Sequence, residues 1–146
     1  MTLGICVLTK VRMKLRKPTQ IMNSKTRLAV LIVEDEPLIR MDAVDMITEA
    51  GFRTYEAASA DQAIALMDKH LDIGILFTDI DMPGTMDGVK LATYVRDRWP
   101  PVVIIIASGG VGLDRATFPD GASFFPKPYT ARQITASLHE IARRFG

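Results

Sequence analysis

The sequence predicts an α/β protein, an open five-stranded parallel sheet with helices on both faces. Three observations predict it: five short apolar runs spread along the chain, helix-period segments between and after them, and acidic or polar residues where the runs end. Parallel neighbours need a crossover, usually helical, and strands covered on both faces read as unbroken apolar runs.

The first run, residues 28–33, ends in Glu34, Asp35 and Glu36, which emerge at the strand's carboxyl end. Pro37 can open a helix, because its missing N–H is an orphan position there anyway. Leu38, Met41, Val44 and Ile47 follow at helical steps as the candidate apolar stripe, and Gly51 stops the helix. Residues 53–57 read as a short strand. Ser59 and Gln62 have capping-box spacing for a helix to about residue 70. Residues 73–78 form a second buried strand ending at Asp79. Met82, Pro83 and Gly84 carry turn chemistry, after which Asp87 can cap a helix bearing Val89, Leu91, Ala92 and Val95 until Pro100 and Pro101 break it. Residues 102–107, the most apolar strand, deliver Ser108, Gly109 and Gly110. Residues 111–121 contain Gly and Pro and have room for only one or two turns, which predicts a shortened fourth helix. Residues 123–126 form the last strand, followed by Lys127 and Pro128. Thr130 and Gln133 repeat the capping-box spacing, and Ile134, Leu138 and Ile141 form the core stripe of the last helix.

With 146 residues, 48% of them apolar, the chain can bury one sizeable core. Its charge is divided unevenly. Residues 1–27 hold seven basic side chains (Lys10, Arg12, Lys14, Arg16, Lys17, Lys25 and Arg27) and no acidic one. The remaining body sets all 17 acidic residues against 11 basic ones, a net charge of −6. Residues 1–27 are therefore expected to be a disordered basic extension, and residues 28–146 the folded domain. An acidic body argues against nucleic-acid binding and suits a bound cation. The single cysteine, Cys6, excludes an intrachain disulfide and a cysteine metal site. The apolar run 3–8 is too short to span a membrane and no basic residue precedes it, so a cytoplasmic protein without a membrane span is expected.

In an open parallel sheet, ligands bind in the crevice at the carboxyl ends of the strands. Those ends carry Glu34 and Asp35, Asp79, Ser108 and Lys127. Three carboxylates in one crevice repel one another and call for a divalent cation. Mg²⁺ suits them, since it uses few carboxylates and keeps waters and phosphate oxygens, while the lack of His and Cys ligands argues against Zn²⁺. A carboxylate nucleophile, a cation, a lysine and a hydroxyl make a phosphoryl-transfer site, where positioning and electrostatics do most of the catalysis. The expected roles are Asp79 as phosphoacceptor and metal ligand, Asp35 as direct ligand, Glu34 as ligand through water, and the backbone carbonyl of Asp81 as a further ligand. Lys127 and the Ser108 hydroxyl are expected to pair with phosphoryl oxygens.

The stretches Val33-Glu34-Asp35-Glu36-Pro37, Thr78-Asp79-Ile80-Asp81-Met82-Pro83-Gly84 with Asp87-Gly88, Ala107-Ser108-Gly109, and Phe125-Pro126-Lys127-Pro128-Tyr129 resemble, in order and spacing, the receiver domain of response regulators. The resemblance spans roughly residues 27–146. It implies a flavodoxin-like sheet of order 2-1-3-4-5. It also implies phosphorylation of Asp79 by a histidine kinase or a His-containing phosphotransfer protein, and Mg²⁺ on the acidic pair Glu34 and Asp35. Lys127 matches the family's active-site lysine, whose bond to Pro128 is usually cis, and Phe124 its aromatic switch, coupled to Ser108. There are departures. The Asp79 to Gly88 loop is one residue longer than in the commonest receivers, and Phe124 lacks the usual tyrosine hydroxyl, so a switch here must work by packing alone. The abbreviated fourth helix and Ala107-Ser108-Gly109-Gly110 are similar to alphaproteobacterial single-domain "FAT GUY" receivers, although those have Thr at the Ser108 position and a different spacing from Pro101.

Because the chain ends after the last helix, the expectation is a stand-alone receiver that catalyses only its own phosphorylation and dephosphorylation. It would signal by binding an unknown downstream protein or act as a phosphate sink. Two alternatives are an unphosphorylated pseudo-receiver scaffold and a haloacid-dehalogenase-like phosphatase, the latter from Asp79-Ile80-Asp81 with Thr85. His70 and His139 lack ligand partners at useful spacing and receive no role.

Overall fold

The computed structural model describes residues 28–82, 86–110 and 114–145. Strands β1 (Ala29–Val33), β2 (Thr54–Ala57), β3 (Ile73–Asp79), β4 (Val103–Ser108) and β5 (Ser123–Pro126) form one parallel sheet in the order β2-β1-β3-β4-β5. Helices α1 (Pro37–Glu49), α2 (Ala60–Lys69) and α3 (Gly88–Arg98) lie in the first three crossovers, α4 (Ala131–Phe145) follows β5, and among the described residues of the β4–β5 connection a 3-10 turn, Arg115–Thr117, stands where the shortened helix was expected. The basic extension over residues 1–27 and the turn at Pro83 and Gly84 lie outside the described residues. No described helix is long and apolar enough to cross a membrane.

The helices start where local chemistry says they should. Orphan N–H groups of a first turn need acceptors. Leu38 N–H donates to Glu36 Oε1 at 3.2 Å, Gln62 N–H to Ser59 Oγ at 3.2 Å, and Lys90 N–H to Asp87 Oδ1 at 2.9 Å. At α4 the box is reciprocal: Gln133 N–H donates to Thr130 Oγ1 at 3.1 Å, and Thr130 N–H to Gln133 Oε1 at 2.9 Å.

Alternate residues of each strand feed two cores, one on each face of the sheet. On one face Leu31, Leu76, Ile104 and Ile106 meet Ala63 and Met67 of α2 and Leu91 and Val95 of α3. On the other, Val30, Ile32, Ile75 and Ile105 meet Ala43 and Ile47 of α1 and Ile134, Leu138 and Ile141 of α4. The stripe expected on α1 is corrected. Leu38 and Met41 are 71% and 59% exposed, and Ala43 with Ile47 make the buried contact. A strict step of three falls short of a full turn by about 60° each time, so Leu38 and Ile47 end on opposite sides of the helix.

The strand order puts β1 and β3 side by side at the centre, where the chain reverses its direction of winding. Register then aligns the strand ends: Val33 pairs with Thr78, Asp79 with Ala107, and Ser108 with Pro126. Among the described residues the buried polar side chains are Glu34, Thr78, Asp79 and Ser108, all at this one edge.

Candidate functional site

Buried polar groups are costly unless paired, so four of them at one edge require an account. Lys127, on the loop after β5, answers for two. Its Nζ donates to Glu34 Oε1 at 2.9 Å and to Asp79 Oδ1 at 3.2 Å. Glu36 N–H donates to Glu34 Oε2 at 3.1 Å, which occupies the second oxygen of that carboxylate. Thr78 Oγ1 donates to the Asp79 carbonyl at 2.9 Å. Ser108 Oγ accepts from Gly110 N–H at 3.0 Å, and the Ser108 carbonyl from Lys127 N–H at 2.9 Å, which ties the ends of β4 and β5 together. The Lys127–Pro128 bond is cis.

Glu34, Asp35 and Asp79 each offer an oxygen lying within 4.8 Å of the others. Burial pushes the Asp79 carboxyl above the usual aspartate range, against the opposing pull of Lys127, and the charge of Asp81 adds to the rise. Burial raises the Glu34 carboxyl likewise, with the Lys127 hydrogen bond opposing it. For Lys127, burial lowers the pKa, but the bond to Glu34 and the charges of Asp79 and Glu34 outweigh it and the net direction is upward. The lysine is therefore the cation that permits this much negative charge in one place. An all-oxygen set of converging carboxylates fits a hard divalent ion such as Mg²⁺.

The sequence-predicted residues Glu34, Asp35, Asp79 and Lys127 are thus brought into one cluster. Ser108 joins Lys127, Phe124 and Arg115 around an adjoining depression of about 360 Å³. Asp81 is exposed beside the cluster. Phe124 is half-buried, its ring 5.7 Å from that of Phe118, with the Arg115 guanidinium 4.4 Å over its face.

Three supporting residues were missed by sequence reasoning. Arg40 Nη1 donates to the Glu34 carbonyl at 2.8 Å and its Nε to Glu56 Oε1 at 3.1 Å, fixing the β1 end; a basic residue amid Leu38, Ile39 and Met41 was the available signal. Gly88 N–H donates to the Ile80 carbonyl at 2.9 Å, and a Cβ there would overlap the Asp79 carbonyl, so the glycine lets α3 start against the Asp79 backbone. A helix opening on glycine directly after a capping Asp was its signal. Arg115 over Phe124 had none, since a cation–π contact across a loop follows from packing alone.

The sequence model of the response regulator receiver domain matches residues 30–139. The chain belongs to this family. The receiver is 31% identical over 135 residues to the sensor kinase CckA of Brucella abortus, covering 90% of this chain and 14% of the kinase. It is 30% identical over 119 residues to the transcriptional regulatory protein PdtaR of Mycobacterium tuberculosis, covering 80% of this chain and 57% of that one. A response regulator receiver protein from Sinorhizobium medicae superposes with a TM-score of 0.73 at 26% identity, covering 82% of this chain and 97% of that one. The receiver thus spans a small part of the kinase and little more than half of the regulator.

Proposed function

We propose that this receiver takes a phosphoryl group onto Asp79 from a histidine kinase or a His-containing phosphotransfer protein. The observation that carries the reading is Lys127 Nζ bridging Glu34 and Asp79 while Asp35 converges on the same point. An Asp79 carboxylate oxygen attacks phosphorus, the bond from phosphorus to the donor's imidazole nitrogen breaks, and that nitrogen leaves with the electron pair, giving an acyl phosphate. Lys127 pairs with a phosphoryl oxygen as charge builds there, and the Ser108 hydroxyl donates to another. Asp35 and Asp79 would hold Mg²⁺ directly, Glu34 through water and Asp81 by its backbone carbonyl. The ion, when bound, supplies neutralisation of charge on the phosphoryl oxygens. As Ser108 turns toward the phosphoryl group, Phe124 moves inward and reports the event by packing, having no hydroxyl to bond.

The similarity to a sensor kinase and to a transcriptional regulator is consistent with one receiver fold serving different outputs. We read the output of this receiver as binding to another protein or draining phosphoryl groups. The phosphatase reading is disfavoured because Asp79-Ile80-Asp81 follows the third strand, with the acidic pair Glu34 and Asp35 ahead of it.

Intact-mass analysis after acetyl phosphate and Mg²⁺ tests this. The expected result is a gain approaching one phosphoryl group per chain, absent in Asp79→Asn, which stays folded. No gain in the wild type supports the pseudo-receiver scaffold, persistent labelling of Asp79→Asn refutes the assignment, and continued turnover of a phosphate ester supports the phosphatase.

A further inference from the structure

Alongside the crevice, the start of α4 and the length of α1 enclose a groove of about 700 Å³, which shares only Lys127 with the carboxylate cluster. Its floor is apolar, from Ile39, Ala43, Met46, Pro128 and Tyr129. Its wall is a single acidic stripe, Asp42, Asp45 and Glu49, at helical spacing. None of these three carboxylates has an ion-pair partner among the described residues. The one cation lining the groove, Lys127, is already bonded to Glu34 and Asp79.

We propose that the groove is the docking site for residues 10–17 of this same chain. Charge is complementary, since this segment carries Lys10, Arg12, Lys14, Arg16 and Lys17 and no acidic residue. The pattern is complementary too. From Lys10 to Arg16 basic and apolar residues alternate, so an extended strand sets Val11, Met13 and Leu15 on one side for the floor. The long basic stems on the other side can still bend to the acidic wall.

Tethering favours this occupant over a free one. Val30 N–H donates to the Arg53 carbonyl at 2.9 Å, which places the start of β1 beside the end of α1. Leu28, the first described residue, lies in the same core cluster as Ala43 and Ile47 of α1 and Leu138 of α4, the two helices that border the groove. Residues 18–27 can reach about 33 Å when extended, and α1 is only about 20 Å long, so the whole groove is within reach. A short tether raises the effective concentration to the millimolar range, where weak contacts suffice. The docking does not depend on Asp79 chemistry and stands or falls separately from it.

Cys6, the only cysteine, allows the test in the full chain. A nitroxide on Cys6 is expected to broaden amide NMR signals of residues 39–49 and 127–131 selectively, and to lose that effect at ~1 M salt, where the screening length falls to ~3 Å. Lys10→Gln, Arg12→Gln, Lys14→Gln and Arg16→Gln together leave the sequence of residues 28–146 unchanged. They should lower arm occupancy by about tenfold, as should Asp42→Asn, Asp45→Asn and Glu49→Gln on the exposed wall. Broadening spread evenly over the surface, or unchanged in both variants, overturns the proposal. Broadening seen only between spin-labelled and isotope-labelled copies assigns the groove to a second chain and overturns it as well. So does binding to phosphatidylserine vesicles by an arm that never broadens the groove.

Discussion

Lys127→Met removes the charge of the bridging lysine while keeping most of its stem, which isolates electrostatics from packing. In the metal-free protein it leaves Glu34, Asp35 and Asp79 within 4.8 Å of one another with no cation among them. At an effective dielectric of about 20, two full charges at that separation repel by about 3.5 kcal/mol. Breaking a buried pair by deleting one partner costs about 3–5 kcal/mol. Glu34 and Asp79 are nearly enclosed, with side chains 7% and 9% exposed, but the lysine is 23% exposed, and water and protonation will recover part of the loss. The expected destabilisation in EDTA is therefore about 2–3 kcal/mol, read from urea unfolding midpoints at constant slope. Mg²⁺ at ~100 times its dissociation constant adds about 2.7 kcal/mol to any folded state that binds it. The variant's more negative crevice should bind the ion more tightly, so its deficit should shrink in Mg²⁺ while labelling by acetyl phosphate falls. Equal stability of variant and wild type in EDTA, or a deficit untouched by Mg²⁺, would refute the electrostatic account of the cluster.

Gly88→Ala should cost several kcal/mol and slow Asp79 labelling, because the added Cβ collides with the Asp79 carbonyl; thermal melts and labelling rates read both, and a normal melt would show that α3 can shift freely. Leu138→Ala, at a fully buried site packed beneath the sheet, should lose about 2–5 kcal/mol in urea unfolding with labelling kinetics of the folded fraction preserved. Metal-free stability should rise as pH is lowered from neutrality toward the ordinary carboxylate values of 3.8 and 4.5. Asp79 and Glu34 are raised in the folded state, so the native protein binds protons there more tightly than the unfolded chain does. Lys127, also raised, stays charged throughout and adds no slope. Unfolding in EDTA across this range checks the sign, and a slope undiminished in Asp79→Asn would assign it elsewhere.

The parts of this receiver legible in sequence are those set by neighbours close along the chain. The capping residues Ser59, Asp87 and Thr130 act within three residues of themselves, and all three cap their helices. Glu34, Asp35 and Asp79 end apolar runs, and a strand buried on both faces can release a charge only at its end. Helical periodicity failed at Leu38 and Met41 because a step of three drifts around the helix, and only docking onto the sheet decides which side is inside.

The tertiary structure alone decided which ends became adjacent. Setting β1 next to β3 and β5 next to β4 brings Lys127 against Glu34, 93 residues away in the chain, and no local preference encodes that contact. The same packing set Arg115 over Phe124 and Gly88 against the Asp79 carbonyl, and it joined α1 to the start of α4 as a groove. Contacts between residues far apart in sequence depend on how whole elements bury their apolar faces together. The chain therefore names its chemical groups locally, and the folded core determines the distances at which they meet.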